Sequence, residues 1–106
     1  MIRVLLDENL PRKLKWSLEA EALTVPERGW GGIKNGRLLR LAEAEFDVLL
    51  TMDRGIEYQQ NLIGIDLCLI VLSAVSNDID DLLPLAPGIN AALLEAAPGL
   101  VLTVAV

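Results

Sequence analysis

The sequence predicts an α/β domain built on a mainly parallel β-sheet, and two features lead to that prediction. Short apolar runs alternate along the chain with stretches of helical periodicity, which is the order of elements in parallel-sheet proteins. The apolar run at residues 67–72 is continuous rather than alternating, as expected for a strand that is buried on both faces. With 106 residues, of which 53% are hydrophobic, the chain is expected to form a single domain spanning residues 1–106.

The first half of the chain is predicted to contain three strands and two helices. The first strand covers residues 2–6, and a helix starts near Leu10-Pro11 because proline suits a first helical turn. Leucines at positions 10, 14 and 18 give that helix one buried stripe. A short second strand at 23–25 is followed by a glycine-rich loop at 29–32. A helix capped by Asn35-Gly36 then runs through Glu45 and leads into a third strand at 47–51.

The second half is predicted to add two strands. Asp53 is expected to cap a helix after the third strand, and residues 67–72 form the fourth strand. The acids that follow Ser76 suit the start of another helix, which Pro84 and Pro87 are expected to kink or split. Pro98 and the glycine after it then turn the chain into a last strand at 100–106.

Composition excludes several kinds of chemistry. The chain contains no histidine, so a Ser-His-Asp triad and a His-rich metal site are impossible, and Cys68 alone cannot provide a zinc site. The net charge is −6, and all nine lysines and arginines lie within residues 1–54, so a nucleic-acid surface is expected only there. No apolar stretch is long enough to span a membrane, and the first residues lack the regions of a signal peptide. We therefore expect a cytoplasmic protein without a membrane partner.

Carboxylates directly follow two of the predicted strands. Asp7 and Glu8 come after the first strand, and Asp53 comes after the third. In an open α/β sheet, ligands bind in the crevice beyond the carboxyl ends of the strands. Clustered carboxylates repel one another unless a cation lies between them, and a hard divalent cation such as Mg²⁺ or Mn²⁺ suits oxygen ligands. If the two strands are neighbours, the sequence predicts a metal site formed by these three acids; an acidic strand end and a helix cap facing water are the alternative.

Two other kinds of site are disfavoured by the pattern. The loop at 29–32 lacks the Lys-Ser/Thr of a P-loop and the spaced glycines of a dinucleotide site, so Trp30 is expected to plug the sheet or a neighbouring subunit rather than stack on a base. Response-regulator receiver domains also place acids after strands 1 and 3 and a hydroxyl, here Ser73, after strand 4. They need a lysine after strand 5, and no Lys or Arg follows Arg54, so a phosphoacceptor role for Asp53 is not expected.

Four segments, taken together and in order, resemble one protein family. They read LLDENLP at 5–11, GWGGIKNGRLL at 29–39, TMDR at 51–54 and YQQNL at 58–62. They resemble the small PIN-like proteins of the DUF5615 group over nearly the whole chain. That resemblance implies a three-layer α/β/α fold with about five strands. It also implies a toxin-type ribonuclease (a nuclease and hydrolase) that depends on Mg²⁺ or Mn²⁺, cleaves RNA and is paired with a small antitoxin.

The resemblance also implies roles for particular residues. Asp7 and Asp53 correspond to metal-binding carboxylates, and Asn9 and Thr51 would orient them. Relatives carry an acid where this chain has Arg37, and some carry another where it has Gly55. Glu8 is therefore expected to complete the metal and catalytic set, with Glu57 as a weaker substitute. The residues expected to bind substrate phosphate are Lys34, Asn35, Arg37 and Arg54.

The missing acid leaves a second hypothesis open. Arg37 would repel a metal cation, so the chain is alternatively a catalytically degenerate PIN-like module that acts by forming a homodimer or by binding an antitoxin-like partner. The acidic second half and the apolar last strand, which is exposed unless it is paired, favour this hypothesis.

Overall fold

The fold is organised around a five-stranded sheet in which all strands are parallel. A computed structural model of the chain describes residues 1–56, 62 and 64–106. The strand order is β2-β1-β3-β4-β5. The strands are β1 (Arg3–Leu6), β2 (Glu21–Thr24), β3 (Val48–Thr51), β4 (Cys68–Ser73) and β5 (Val101–Ala105). The predicted parallel sheet of five strands is therefore confirmed, with bounds that differ from the predicted ones by one or two residues.

Helices cover both faces of this sheet, which gives the predicted three layers. One face packs against a 3₁₀ helix (Arg12–Ser17) and against α3 (Ile79–Leu82) and α4 (Ala86–Glu95), and the other face packs against α1 (Val25–Arg28) and α2 (Asn35–Glu43). Because successive side chains of a strand point to opposite faces, Leu5 lies in the α1/α2 layer and Leu6 in the α3/α4 layer. Burial on both sides is the physical reason why these strands are continuously apolar.

The first helix differs from its prediction. It is a 3₁₀ helix that begins at Arg12, and Pro11 precedes it in an extended conformation. The leucine stripe is confirmed, since Leu10, Leu14 and Leu18 are all buried in the α3/α4 layer. A segment of six residues is too short for a cooperative α-helix, so burial of the stripe rather than helical propensity holds it in place.

The second strand ends one residue earlier than predicted, because Val25 begins α1. The Thr24 hydroxyl accepts a hydrogen bond from the Glu27 amide, and the Glu27 carboxylate accepts one from the Thr24 amide. This reciprocal capping box, with Pro26 in the first turn, starts a helix at the point where the apolar run would otherwise continue the strand.

The predicted helix of residues 35–45 forms as α2 but ends at Glu43. The prediction that Asn35-Gly36 caps this helix is wrong. Lys34 occupies the N-cap position and makes no side-chain capping bond, and Asn35 is the first helical residue. The Asn35 side chain instead contacts Asp53, as described below.

The prolines of the last helical segment divide it as predicted. The Asp78 carboxylate caps α3 by accepting a hydrogen bond from the Asp80 amide. A short 3₁₀ helix, Leu83–Leu85, separates α3 from α4, and it contains Pro84. None of the helices in the described ranges is long and apolar enough to cross a membrane.

Candidate functional site

The candidate site lies where β1 and β3 end side by side. Leu6 pairs with Leu50, and the Asp7 amide donates a hydrogen bond of 2.9 Å to the Leu50 carbonyl. The condition on which the predicted metal site depends, that strands 1 and 3 are neighbours, is thus met. From β1 the chain goes to β2 on one side and later to β3 on the other side. A sheet opens a crevice at such a switch point, beyond the carboxyl ends of the two strands.

Thr51 links the two carboxylate-bearing strand ends. Its hydroxyl donates a hydrogen bond of 2.7 Å to Asp7 Oδ2 and accepts one of 3.0 Å from the Asp53 amide. Thr51 is fully buried, and Asp7 is only 8% exposed. Thr51 therefore contacts Asp7 directly, as the predicted orienting role requires, and the same hydroxyl anchors the backbone of Asp53.

Asp53 is held by contacts of its own. Its Oδ1 accepts a hydrogen bond of 2.9 Å from the Gly55 amide, and the helix that Asp53 is predicted to cap falls on residues outside the described ranges. Its Oδ2 accepts a bond of 3.3 Å from Asn35 Nδ2. The start of α2 is thereby brought to the end of β3. Asn35 was expected to contact phosphate, and in this structure it contacts a candidate metal ligand instead.

The electrostatic environment of Asp7 is unusual for a buried acid. Its Oδ1 accepts a hydrogen bond of 2.9 Å from the Glu8 amide, so each of its oxygens has a polar donor. Within the described ranges no lysine or arginine forms a salt bridge with it. Neutral donors stabilise the carboxylate, but its negative charge remains without a cationic counterpart there.

Glu8 and Asn9 are placed differently from Asp7 and Asp53. Glu8 is exposed, and its Oε2 accepts a hydrogen bond of 3.2 Å from the Gly32 amide in the glycine-rich loop. Asn9 is also exposed, and its backbone carbonyl accepts a hydrogen bond of 2.8 Å from Asn77 Nδ2. In the part of the chain that the structure describes, no three acidic, His or Cys side chains form a group arranged to hold a metal ion.

The predicted phosphate-binding residues lie around the same edge of the sheet. Lys34 and Arg37 are exposed at the start of α2, next to Asn35. Arg54 follows Asp53 and donates a hydrogen bond from Nη2 to the Ser73 hydroxyl at the end of β4. A cavity of about 490 Å³ opens beside this pair, and its other lining residues are Ala74, Val75, Asp80, Asp81, Pro84, Ala105 and Val106. Glu57 and the 58–61 part of the YQQNL segment lie outside the described residues.

Two contacts of this region were not predicted from the sequence. The sequence predicts a phosphate contact for Arg54 and offers Ser73 only as a receiver-type switch, so the hydrogen bond between these two residues is unexpected. The glycine-rich loop was assigned to tight turns, but its Gly32 amide contacts Glu8. Trp30 plugs the α1/α2 layer as expected, since it is 8% exposed and packs edge-on against Phe46 at 6.1 Å between ring centroids.

Comparison with known proteins adds no relative to this description. No protein-family model, no curated protein and no solved structure matches the chain.

Proposed function

We propose that this chain is a PIN-like, metal-dependent ribonuclease whose reaction centre is formed by Asp7 and Asp53. The observation that carries the proposal is the Thr51 bridge, which joins two carboxylate-bearing strand ends at the switch point of a parallel sheet. A strand end that served only as a water-facing cap would have no need of a buried carboxylate. The cost of burying Asp7 therefore favours a cationic ligand at this place.

The donor set fits a hard divalent cation. Each carboxylate oxygen of Asp7 and Asp53 accepts one of the hydrogen bonds described above and keeps a second lone pair. Mg²⁺ and Mn²⁺ bind through one or two protein carboxylates and complete their shells with water and substrate phosphate. Asp7 and Asp53 would hold the ion, and Glu8 would join them by leaving the Gly32 amide.

Each protein group has a distinct task in such a reaction. A bound Mg²⁺ or Mn²⁺ supplies an activated water and neutralises charge on the phosphate. Thr51 and Asn35 keep the two carboxylates oriented so that their charges face the same crevice. Arg54 binds a substrate phosphate by exchanging the Ser73 hydroxyl for a phosphate oxygen, and Lys34 and Arg37 add positive charge at the start of α2.

Metal binding tests the proposal without any guess about the RNA sequence. We expect calorimetric titration of metal-stripped protein with Mn²⁺ to give a binding isotherm that is lost in Asp7→Asn and in Asp53→Asn. Asp66→Asn is the matched control, because it removes the same charge from an exposed aspartate elsewhere on the surface. Thermal unfolding of each variant separates loss of the ligand from loss of the fold. Equal Mn²⁺ affinity in wild-type protein and Asp53→Asn would contradict the assigned site.

Cleavage tests the remaining step. With Mn²⁺ bound, the wild-type protein is expected to hydrolyse single-stranded RNA, and Asp53→Asn is expected to lose that activity while Asp66→Asn keeps it. If metal binds but no RNA in a mixed-sequence pool is cut, the metal site stands and the ribonuclease assignment falls.

A second candidate function is supported by a different part of the surface. The strand β5 is apolar and lies at the edge of the sheet, where no described strand pairs with its outer side, which is typical of a strand that binds another chain. In that case the PIN-like fold serves as a module for dimerisation or for binding an antitoxin-like partner, and catalysis is weak or lost.

Arg37 distinguishes the two candidates. If Arg37 occupies the position of a lost metal acid, Arg37→Glu is expected to raise the affinity for Mn²⁺. If Arg37 already contacts substrate, the same change is expected to leave Mn²⁺ binding nearly unchanged and to reduce RNA cleavage, which the calorimetric and cleavage measurements separate.

A further inference from the structure

The free edge of β5 has an unusual composition for an exposed edge strand. Residues 100–106 read LVLTVAV, without a charge, a proline or a glycine. Native edge strands are commonly protected by an inward lysine, a proline or a bulge, because unpaired backbone groups recruit further strands. Among the described residues, no strand pairs with the outer side of β5.

The register of β5 identifies the backbone groups that face outward. The Leu69 amide donates to the Leu100 carbonyl, so the backbone groups of Leu100 point towards β4. Since the direction alternates along a strand, Val101, Thr103 and Ala105 present their N–H and C=O groups to the outer side. The edge therefore offers three donors and three acceptors, with Thr103 in the middle.

Such an edge is complementary to itself. With a twofold axis beside Thr103, Thr103 of one chain lies opposite Thr103 of the second chain. Val101 of each chain then lies opposite Ala105 of the other. All three positions are then hydrogen-bonded pairs of an antiparallel ladder, which closes six bonds. We propose that β5 is the interface for a second copy of this chain, so that two sheets join into one continuous sheet of ten strands.

The helix above this edge suits the same arrangement. A groove of about 290 Å³ runs between α4 and β5, and the α4 residues that line it are Gly88, Ala91, Ala92 and, at the end of the helix, Glu95. The twofold axis places the two α4 helices side by side and antiparallel on one face of the joined sheet. Small side chains allow them to approach closely, and Leu94, which is 86% exposed on the turn after Ala91, gains an apolar environment.

Charge does not oppose a second copy at this edge, although the whole chain is acidic. Glu95 is the one charged residue of α4 and lies at its C-terminal end. Gly88 lies opposite Val104, so a twofold axis beside the neighbouring residue Thr103 crosses α4 near Asn90. Asn90 is five residues before Glu95. At 1.5 Å per residue, the two Glu95 side chains are roughly 15 Å apart along the helix axes. That separation exceeds the screening length of about 8 Å in physiological salt.

The test exploits the prediction that Thr103 opposes itself. Thr103→Lys and Thr103→Glu each place like charges directly opposite each other, so each variant alone is expected to dissociate, with a dimer dissociation constant raised by roughly tenfold. An equimolar mixture of the two variants is expected to restore dimers. Analytical ultracentrifugation over a wide concentration range measures all three samples and the wild-type protein.

A control variant tests whether an added charge alone prevents dimerisation. Ala44→Lys makes the same charge change at an exposed position after α2 and is expected to dimerise like wild type, and circular dichroism verifies that every variant is folded. The proposal is overturned if the wild-type protein is a monomer throughout, including the case in which it captures an added strand peptide. It is also overturned if both Thr103 variants dimerise as well as wild type, because the copies then meet elsewhere.

Discussion

Thr51 is the residue on which the two carboxylates of the candidate site depend. The contact it makes joins residues that are 44 positions apart in the chain, and it is fully buried. A hydroxyl at this position donates to one strand end and accepts from the other, which neither an alkyl group nor a carboxylate can do with the same shape.

Thr51→Val tests this dependence, because valine keeps the shape of threonine without its hydroxyl. It leaves Asp7 Oδ2 without its donor and the Asp53 amide without its acceptor, so we expect a loss of about 1–3 kcal/mol in the free energy of unfolding. We also expect weaker Mn²⁺ binding. Thr51→Ser, which keeps the hydroxyl, should retain the metal affinity. Denaturant unfolding and calorimetry measure the two effects, and an unchanged affinity in Thr51→Val would show that the bridge does not orient the ligands.

Glu27 shows how a local ion pair makes stability depend on pH. The hydrogen bond from Lys15, at 2.7 Å, and the capping bond with Thr24 lower the pKa of Glu27 from 4.5 to about 2. A carboxyl group whose pKa is lowered by folding stabilises the folded state above its ordinary pKa. That contribution is lost as the pH falls through the lowered value.

Glu27→Gln is therefore expected to lower the melting temperature at neutral pH. The difference from wild type should persist down to about pH 4.5 and shrink steadily as the pH approaches 2. Glu19→Gln, at an exposed glutamate on the surface, provides the charge-matched control. A difference between Glu27→Gln and wild type that is constant across this range would mean that the ion pair does not account for the effect.

At the scale of elements, α4 approaches β5 closely at Gly88. A Cβ atom added to Gly88 would lie 2.9 Å from Val104 Cγ1, which is shorter than a van der Waals contact. Val104 is buried and β-branched, so it has few alternative rotamers with which to yield. Gly88 thus allows α4 to lie directly on the edge strand.

Gly88→Ala is expected to destabilise the protein by about 1–3 kcal/mol, although alanine is the better helix former, because the crowding exceeds the gain in propensity. The double mutant Gly88→Ala/Val104→Ala should recover part of the loss that the two single changes would give if they were additive. Denaturant unfolding of the four proteins measures this coupling. Strict additivity would show that the two positions do not press on each other.

At the scale of the whole molecule, one β-sheet contributes side chains to two hydrophobic cores, one on each of its faces. Leu5 and Leu6 are adjacent and fully buried, yet they lie in different helical layers. β1 pairs with β2 on one side and with β3 on the other, so a cavity on either face weakens the same hydrogen-bonded strand.

Leu5→Ala and Leu6→Ala are each expected to lower the free energy of unfolding by about 2–5 kcal/mol and to leave a single transition. Trp30 lies in the α1/α2 layer together with Leu5, so in a Trp16→Phe background, where it is the remaining tryptophan, fluorescence follows that layer, whereas far-ultraviolet circular dichroism follows the whole fold. We expect the two signals to shift together in both variants. Separate midpoints in Leu6→Ala would mean that the layers unfold independently.

Charged residues are also distributed unevenly between the two halves of the chain. Residues 1–54 carry all the lysines and arginines and are neutral overall, while residues 55–106 carry six acids and no base. The cationic residues proposed to bind RNA therefore lie on the first half, around the ends of β1 and β3. The strand and helix proposed to bind a second copy belong to the acidic half and contain one charge, Glu95. The two proposed surfaces meet at the cavity beside Arg54, because Ala105 of β5 also lines that cavity.

The sequence alone was enough to predict the order of the five strands along the chain and the apolar residues of the strands and of the leucine stripe that are buried, but not α1. Continuous apolar runs mark strands buried on both faces, and the leucine spacing after Pro11 marks a buried stripe, because these patterns depend on neighbours along the chain. The strand order, the Thr51 bridge and the contact of Asn35 with Asp53 were decided only by the tertiary structure. These contacts join residues that are distant in sequence. From sequence alone, an asparagine near the start of a helix is predicted to be a cap, whether or not a carboxylate from another strand lies within hydrogen-bonding distance. The helix type of residues 12–17 and the end of β2 at Thr24 were settled in the same way, by packing and by a capping pair that outweighed the local apolar pattern.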